Sequence, residues 1–399
     1  MSISPKNKST RKSNRMVLMM LGFFVLSPIS SNIFQKILGF PLILPELLFI
    51  PFYIYLKDKM NFQIKRNVFF VGMIIIGILF SLALFIGNYS FYSISSTTRG
   101  YIYILLTFSI YRNKKIDIGE IMFIAFGSTL GWMINCLISF KALISNTLLE
   151  GQSMAVYGNM ISLSLFISIP LIFRWNKYVF LSILTGILLS LMAGLRRELT
   201  VFFTSTFFSF FVFLKHFDRK IINTLLLLTS FVIMTIFLYK PIEESIYRIS
   251  PAYHTRLFTK SESLLSGNSS EGDETRINSF SSFLNSIDDY ILPKGFVSKR
   301  TLIDEGTGLY MDSPYVELVY TIGILGAVLF IILLLRRLFF HVKNYYVNNV
   351  TESGVCIVSI VIICVLLSIE GSFLNYTFTV PFTGFILGRI FSNYNLSKS

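Results

Sequence analysis

The stretch KDKMNFQIKRNVFFVGMIIIGILFSLALFIG, residues 57–87, joins a basic cluster (57–66) to an unbroken apolar run (67–87). A helix rises about 1.5 Å per residue, so a run of roughly 20 apolar residues crosses the hydrocarbon core of a bilayer. The same arrangement recurs along the chain. Apolar runs bounded by charge clusters or turn residues fall at 16–34, 37–56, 67–87, 93–111, 118–140, 156–173, 178–194, 198–214, 221–239, 315–335, 353–370 and 374–391. The expected fold class is therefore an all-α integral membrane protein with about 12 transmembrane helices.

Composition agrees. Of the 399 residues, 53% are hydrophobic and only 14% are charged, against about 25% charged in ordinary soluble domains. That excludes a typical soluble enzyme, and 41 Phe with 20 Tyr exclude a disordered chain. The net charge of +14 would ordinarily raise nucleic-acid binding. Here the cations are clustered between spans, at 57–66, RNKK (112–115), RWNK (174–177), KHFDRK (215–220) and RRLFFHVK (336–343). With the basic N-terminus MSISPKNKSTRKSNR, all of these lie on one side, which the positive-inside rule makes cytoplasmic. That side holds 22 of the 35 Lys and Arg and 5 of the 21 Asp and Glu. The excess is an insertion signal, and no nucleic-acid partner is expected. The first run lacks a small-residue cleavage site and reads as a retained span. Both termini are expected on the cytoplasmic side of the membrane.

Three regions follow. Residues 1–239 form a nine-span membrane region, 240–314 a long external loop, and 315–399 a three-span membrane region. A loop of this length is functional or disordered as a rule, and this one shows internal order. Pro241 and Pro251 suit first turns of short helices, and SESLLSGNSSEGDE (261–274) reads as a flexible segment. Then Ile277, Phe280, Leu284, Ile287 and Ile291 recur at helical spacing. They predict an amphipathic helix ended by Pro293 and Gly295, lying on the outer membrane face or roofing a cavity.

Several charged residues stand where charge is costly. Arg196 and Arg197, in the turn AGLRRELT, fall on the external side against the positive-inside bias. Paired guanidiniums at the membrane edge suit a lipid-linked diphosphate, since Arg makes bidentate, permanently charged hydrogen bonds to phosphate. The plainer role is snorkelling to headgroups beside Glu198. Arg276 opens the amphipathic helix, where a cation is mildly unfavourable; it is either a second phosphate or sugar clamp or a partner of Asp273 or Glu274. Asp312, where the loop re-enters the membrane, is a candidate proton acceptor for a sugar hydroxyl, or a helix cap ahead of Ser313 and Pro314. Glu46 lies inside a span between Pro41 and Pro45 and Leu47, and an ionisable group there is a functional candidate. Arg99, Arg248 and Arg256 are weaker candidates.

Other chemistry is missing. His216, His254 and His341 are scattered without ligand spacing, and Cys136, Cys356 and Cys364 all sit in apolar runs. Cys356 and Cys364 are about 12 Å apart along one helix, too far to bridge. No phosphate-binding Gly loop, no HExxH and no DxD metal signature occurs, so no metal and no cofactor is expected.

The order of these features resembles the Wzy-type polysaccharide polymerases and the related O-antigen ligases. AGLRRELT looks like the family's Ser-Arg turn between two spans. RINSFSSFLNSIDDYILPKGF (276–296) is similar to its Arg-led helix followed by a Gly, and MDSPYVELVYTIGILGAVLF (311–330) to a polar dipeptide leading into a span with Gly-Ile-x-Gly. These pieces cover the C-terminal half; the N-terminal half matches in span number and hydropathy. The resemblance puts the turn arginine on Arg196 or Arg197 and the loop arginine on Arg276. Leu195 replaces the turn's Ser, and Asp312–Ser313 stands where ligases carry a His, which favours polymerase over ligase and leaves the general base open. The resemblance implies an inverting, metal-independent glycosyl transfer outside the membrane. Donor and acceptor would be undecaprenyl-diphosphate-linked glycans of capsule or O-antigen type. Membrane lipids, a flippase and a chain-length regulator of the same pathway would be partners. The competing classes are a wall-polymer ligase, a lipid-linked oligosaccharide flippase and a structural envelope protein.

Overall fold

The computed structural model describes residues 5–25, 27, 29, 54, 65–86, 91–113, 118–138, 204, 207–209, 212, 240–241, 243–248, 251–254, 281, 283–285, 287–296, 314–369 and 380–391. Every regular element among them is helical. In chain order these are α1 (Pro5–Val25), α2 (Arg66–Phe85), α3 (Phe91–Asn113) and α4 (Ile118–Ile138). A helical turn at Pro251–His254 and a 3₁₀ turn at Ile287–Tyr290 follow. The last three are α5 (Pro314–Tyr346), α6 (Thr351–Ile369) and α7 (Val380–Ile390).

Among the described residues, two helices are long and apolar enough to cross a membrane: α2, and α5 over Tyr315–Tyr346. A core helix of a soluble protein passes the same test but is mostly buried. Here 17% of the apolar window of α2 and 28% of that of α5 is buried, so most of each window faces outward. Phe70, Ile74 and Ile78 on α2, and Leu325, Leu329 and Ile332 on α5, are among the exposed side chains. Such apolar surface needs a nonpolar surrounding or a partner.

The expected spans at 67–87, 93–111, 118–140 and 353–370 coincide with α2, α3, α4 and α6 to within a few residues. Others differ in extent. Helix α1 begins at Pro5, so much of the basic N-terminal segment is already helical. Helix α5 runs on to Tyr346, so the basic cluster 336–343 is a continuation of that helix rather than a connection. Helix α7 covers 380–390 of the expected span 374–391, and 374–379 lie outside the described residues. The expected spans at 37–56, 156–173, 178–194, 198–214 and 221–239 lie outside the described residues apart from isolated positions.

Small residues bring α1 and α4 together. A Cβ on Gly22 would run into the Ile124 carbonyl and lie 2.8 Å from the Ser128 nitrogen. One on Gly127 would meet the Met19 backbone, and one on Gly131 would lie 2.7 Å from the Ser27 Cβ. Gly127 and Gly131 are four apart, on one face, so the two backbones touch without side chains between them. That is how helices associate where lipid removes the hydrophobic drive. Gly384 plays the same part between α7 and α3, close to the Ile104 carbonyl.

Buried side chains form two clusters. One joins α1, α4, α6, α7 and the later part of α5 (Leu334, Tyr345). The other joins α2, Ile94 of α3, Phe283, Tyr290, Phe296 and the first part of α5 (Val316, Tyr320). Helix α5 therefore serves both, and it breaks between them. Gly323 has φ +73° and ψ 165°, far from helical values.

The amphipathic segment of the long loop is helical at residues 281 and 283–285, tightens to a 3₁₀ turn at Ile287–Tyr290 and is extended at 293–296. It ends at Pro293 and Gly295 as the sequence predicts. Its buried face is aromatic. Leu284, Ile287 and Ile291 are 46%, 38% and 48% exposed, whereas Phe283 and Tyr290 are 5% and 4% exposed. Aromatic packing sets the register: Phe283 and Tyr290 stack with centroids 5.4 Å apart, and Tyr290 meets Tyr320 of α5 at 5.6 Å. Large rings bury more area than aliphatic side chains and so take the protein side.

Candidate functional site

Residues 290–296 are strapped across α2, α3 and α5. The break at Gly323 makes this possible. In a continuous helix the Tyr320 carbonyl would accept the N–H of residue 324. Here it accepts the Lys294 N–H at 3.0 Å. A Cβ on Gly323 would lie 2.8 Å from the Ile291 carbonyl oxygen and 2.9 Å from the Pro293 nitrogen, so strap and helix touch backbone to backbone. Two residues on, the Phe296 N–H reaches the Leu79 carbonyl of α2 at 3.4 Å. Gly295, at φ +89°, lies against Leu79 and Ala83 of that helix with no room for a side chain.

Side chains complete the strap. The Lys294 ammonium sits 4.9 Å from the Tyr290 ring centre and 5.8 Å from that of Tyr320, within cation–π range of both. Phe296 is fully buried, and its ring lies 4.6 Å from that of Tyr101 on α3.

Around Tyr101 is a polar group made by α3 and α5. Helix α5 starts at Pro314, as the Ser313–Pro314 pair predicts. Glu317 falls in its first turn and is 0% exposed. Thr321 follows one turn later, on the same face and also buried. Glu317 lies near enough to Tyr101 to act on it electrostatically, and the Thr321 hydroxyl is beside the phenol. The Tyr101 and Thr321 hydroxyl oxygens are sealed from solvent, and neither reaches full hydrogen-bond geometry with the other. The positive end of α5 favours a carboxylate in its first turn, by about 2 kcal/mol at most. Burying one carboxylate costs several kcal/mol.

The sequence-derived candidates divide into two groups. Arg196, Arg197, Arg276, Asp312, Glu46 and Arg256 lie outside the described residues. Arg99 and Arg248 lie within them, and they are not brought together. Arg99 is on α3, half-buried, with its guanidinium carbon 5.8 Å from the Tyr103 ring centre. Arg248 is exposed at the end of the helical stretch 243–248. His254 bonds Glu243 at 3.2 Å and meets the Tyr247 ring edge-on, which ties the turn 251–254 to that stretch. No group of three His, Cys, Asp or Glu among the described residues is arranged to hold a metal ion.

Glu317 was not singled out by sequence reasoning, although it stands in plain sight in SPYVELVY. Its signal was an ionisable residue just inside a span.

A second polar knot closes the opposite end of the bundle. His341 Nε2 lies 3.0 Å from the Ile390 carbonyl, and Nδ1 lies 3.4 Å from the Ser353 hydroxyl, joining α5, α6 and α7. Arg337 stacks over Phe340 and Phe391, each at 5.6 Å. The Tyr345 hydroxyl donates to the Val212 carbonyl at 2.6 Å. These contacts are interhelical fasteners, with every partner already inside the fold.

Comparison with known families matches no family model to this chain, and comparison with curated proteins finds no significant match.

Proposed function

We propose that this chain is a multi-pass membrane polysaccharide polymerase. It would join undecaprenyl-diphosphate-linked repeat units on the outer face of the bacterial cytoplasmic membrane. About 12 spans would place both termini in the cytoplasm and residues 240–314 outside. One observation carries the reading. The last part of the Arg-led segment 276–296 is docked onto the start of the Gly-Ile-x-Gly span, through Lys294–Tyr320 and the Ile291–Gly323 approach. Two of the three sequence pieces that suggested the family are thus neighbours in space, although nothing in their sequence spacing requires it. The outward Leu284, Ile287 and Ile291 suit a segment resting on the membrane surface.

The chemistry follows from the residue types. The acceptor hydroxyl oxygen attacks C1 of the donor sugar as the bond from C1 to the lipid diphosphate breaks, inverting the anomeric centre. Arg196 or Arg197, with Arg276, would stabilise the charge that develops on the departing diphosphate in a partly dry site. Arginines neutralising the leaving group make a metal ion unnecessary. A carboxylate, Asp312 in the first reading, would take the acceptor proton. Chain-length regulator and flippase would act on the same lipid-linked glycans.

Cells lacking the protein should accumulate single repeat units and lose long chains. Arg196→Ala, Arg197→Ala and Arg276→Ala should each stop extension while the protein still inserts in the membrane. Normal-length polymer in all three variants defeats the reading. Transfer to a different acceptor without elongation by the purified protein would make it a ligase instead.

A further inference from the structure

We infer that the C-terminal end of α5 is a seat for an anionic phospholipid of the cytoplasmic leaflet. Arg336 and Lys343 hold the headgroup phosphate, and Phe339 lies among the first acyl carbons. The inference rests on the membrane placement in the proposed function and is independent of the chemistry proposed there.

Burial on one side of the helix fixes the face that it presents. Leu334, His341, Asn344 and Tyr345 are buried. His341 meets the Ile390 carbonyl of α7 and the Ser353 hydroxyl of α6, and the Tyr345 hydroxyl donates to the Val212 carbonyl. These contacts hold the helix in one rotation. A helix turns about 100° per residue, so the opposite face carries Leu325, Leu329, Ile332, Arg336, Phe339 and Lys343. All six are exposed, Phe339 by 72%.

Along that face an aliphatic stripe passes into a cationic and aromatic one at Arg336. The rise from Arg336 to Lys343 is about 10 Å, comparable with the interfacial layer on one side of a bilayer, about 5–8 Å. Each Cα–Cβ bond of a helix tilts toward the N-terminus. At the end of a span that direction is back toward the bilayer, so Phe339 and Lys343 lean into the interface. At the start of a span the tilt is outward, as for Arg66 at the head of α2.

Charge selects the lipid class. No Asp or Glu occurs between Glu317 and Glu352. Among the described residues, no carboxylate pairs with Arg336 or Lys343. Arg337 adds positive charge to the same end while stacking over Phe340 and Phe391. A zwitterionic headgroup brings its own cation and gains less from this field. An acidic soluble partner would leave the exposed ring and the aliphatic stripe beside it without an apolar counterpart.

The test uses the full-length chain in detergent micelles with equal amounts of phosphatidylglycerol and phosphatidylcholine carrying the same acyl chains. Native mass spectrometry reads the lipid retained, and the wild type should favour phosphatidylglycerol. A cation near an anionic surface contributes about a fivefold preference. Arg336→Gln together with Lys343→Gln should therefore lower the ratio about 25-fold, or to parity. Phe339→Ser should reduce retention of both lipids and leave the ratio unchanged.

Equal retention of the two lipids by the wild type overturns the inference, as does a ratio in the double variant within threefold of wild type. An equal fall in Lys65→Gln with Arg66→Gln also overturns it, because total charge rather than this face would then select the lipid. These results leave the polymerase reading standing. Wild-type protein that stays monodisperse without detergent and retains neither lipid overturns the membrane placement, and the proposed function with it.

Discussion

Replacing Gly323 with alanine tests whether the break in α5 is what holds the strap. The native φ of +73° with ψ 165° lies in a region open essentially to glycine alone. Placing a side chain there costs about 1–3 kcal/mol. The new Cβ would also stand 2.8 Å from the Ile291 carbonyl oxygen and 2.9 Å from the Pro293 nitrogen. Both are backbone atoms, so relief requires the strap itself to move. Alanine meanwhile favours a continuous helix over glycine by about 1 kcal/mol. A straightened α5 would reclaim the Tyr320 carbonyl for its own ladder and release the Lys294 N–H. Together these effects disfavour the docked strap by about 2–4 kcal/mol. At about 1.4 kcal/mol per factor of ten, that is a 30-fold to several-hundred-fold rise in strap opening.

Amide hydrogen exchange at Lys294 and Phe296 reads this opening directly, because both amides are held by bonds to neighbouring helices. Faster exchange at these amides, with α6 unchanged, is the expected result. Exchange at Lys294 equal to wild type would refute the account, since it would mean that the strap does not depend on the helix break. Under the polymerase reading, the same variant should lose elongation without losing membrane insertion.

Three further outcomes follow from the packing. Gly127→Val drives a branched side chain into the Met19 backbone of α1; overpacking of about 1–3 kcal/mol or more should lower the unfolding temperature and expose α1 to proteolysis. Gly77→Ala meets nothing within 4 Å; this exposed helical site should gain up to about 1 kcal/mol, and a measured loss would show that α2 is not helical there. Tyr345→Phe removes the bond from its hydroxyl to the Val212 carbonyl, 2.6 Å long and buried; the thermal transition should show a loss of about 1–2 kcal/mol, while an unchanged transition would mean the bond is dispensable.

Legibility differed among the parts for physical reasons. Helix positions were read well at α2, α3, α4 and α6, because a long apolar run both fixes the period-free signal and satisfies every backbone group internally. The ends of α1 and α5 were read less well. Charged residues read as boundaries in a hydropathy pattern, yet Lys and Arg are good helix formers, and the helix continues through them. In the loop segment, spacing identified the aliphatic series, which stays exposed, but not the rings that make the buried face. Aliphatic periodicity cannot rank Leu284 and Ile287 against Phe283 and Tyr290 when both sets recur at helical spacing; the rings on α5 decide it. The small-residue seam of α1 and α4 was passed over for the opposite reason, since glycines contribute nothing to a hydropathy pattern.

The sequence by itself determined that the chain is helical, that long stretches of it are too apolar for water, and where charge is out of place. Those properties are local: they depend on run length, on composition, and on one residue's fit to its own segment. Only the tertiary structure decided that α5 breaks at Gly323, that the strap inserts its Lys294 N–H there, and that Glu317 lies sealed beside Tyr101 and Thr321. A helix is broken only when a distant segment supplies the hydrogen bond that it gives up, and a carboxylate is buried only when other helices close over it. Neither condition is written in the neighbouring residues.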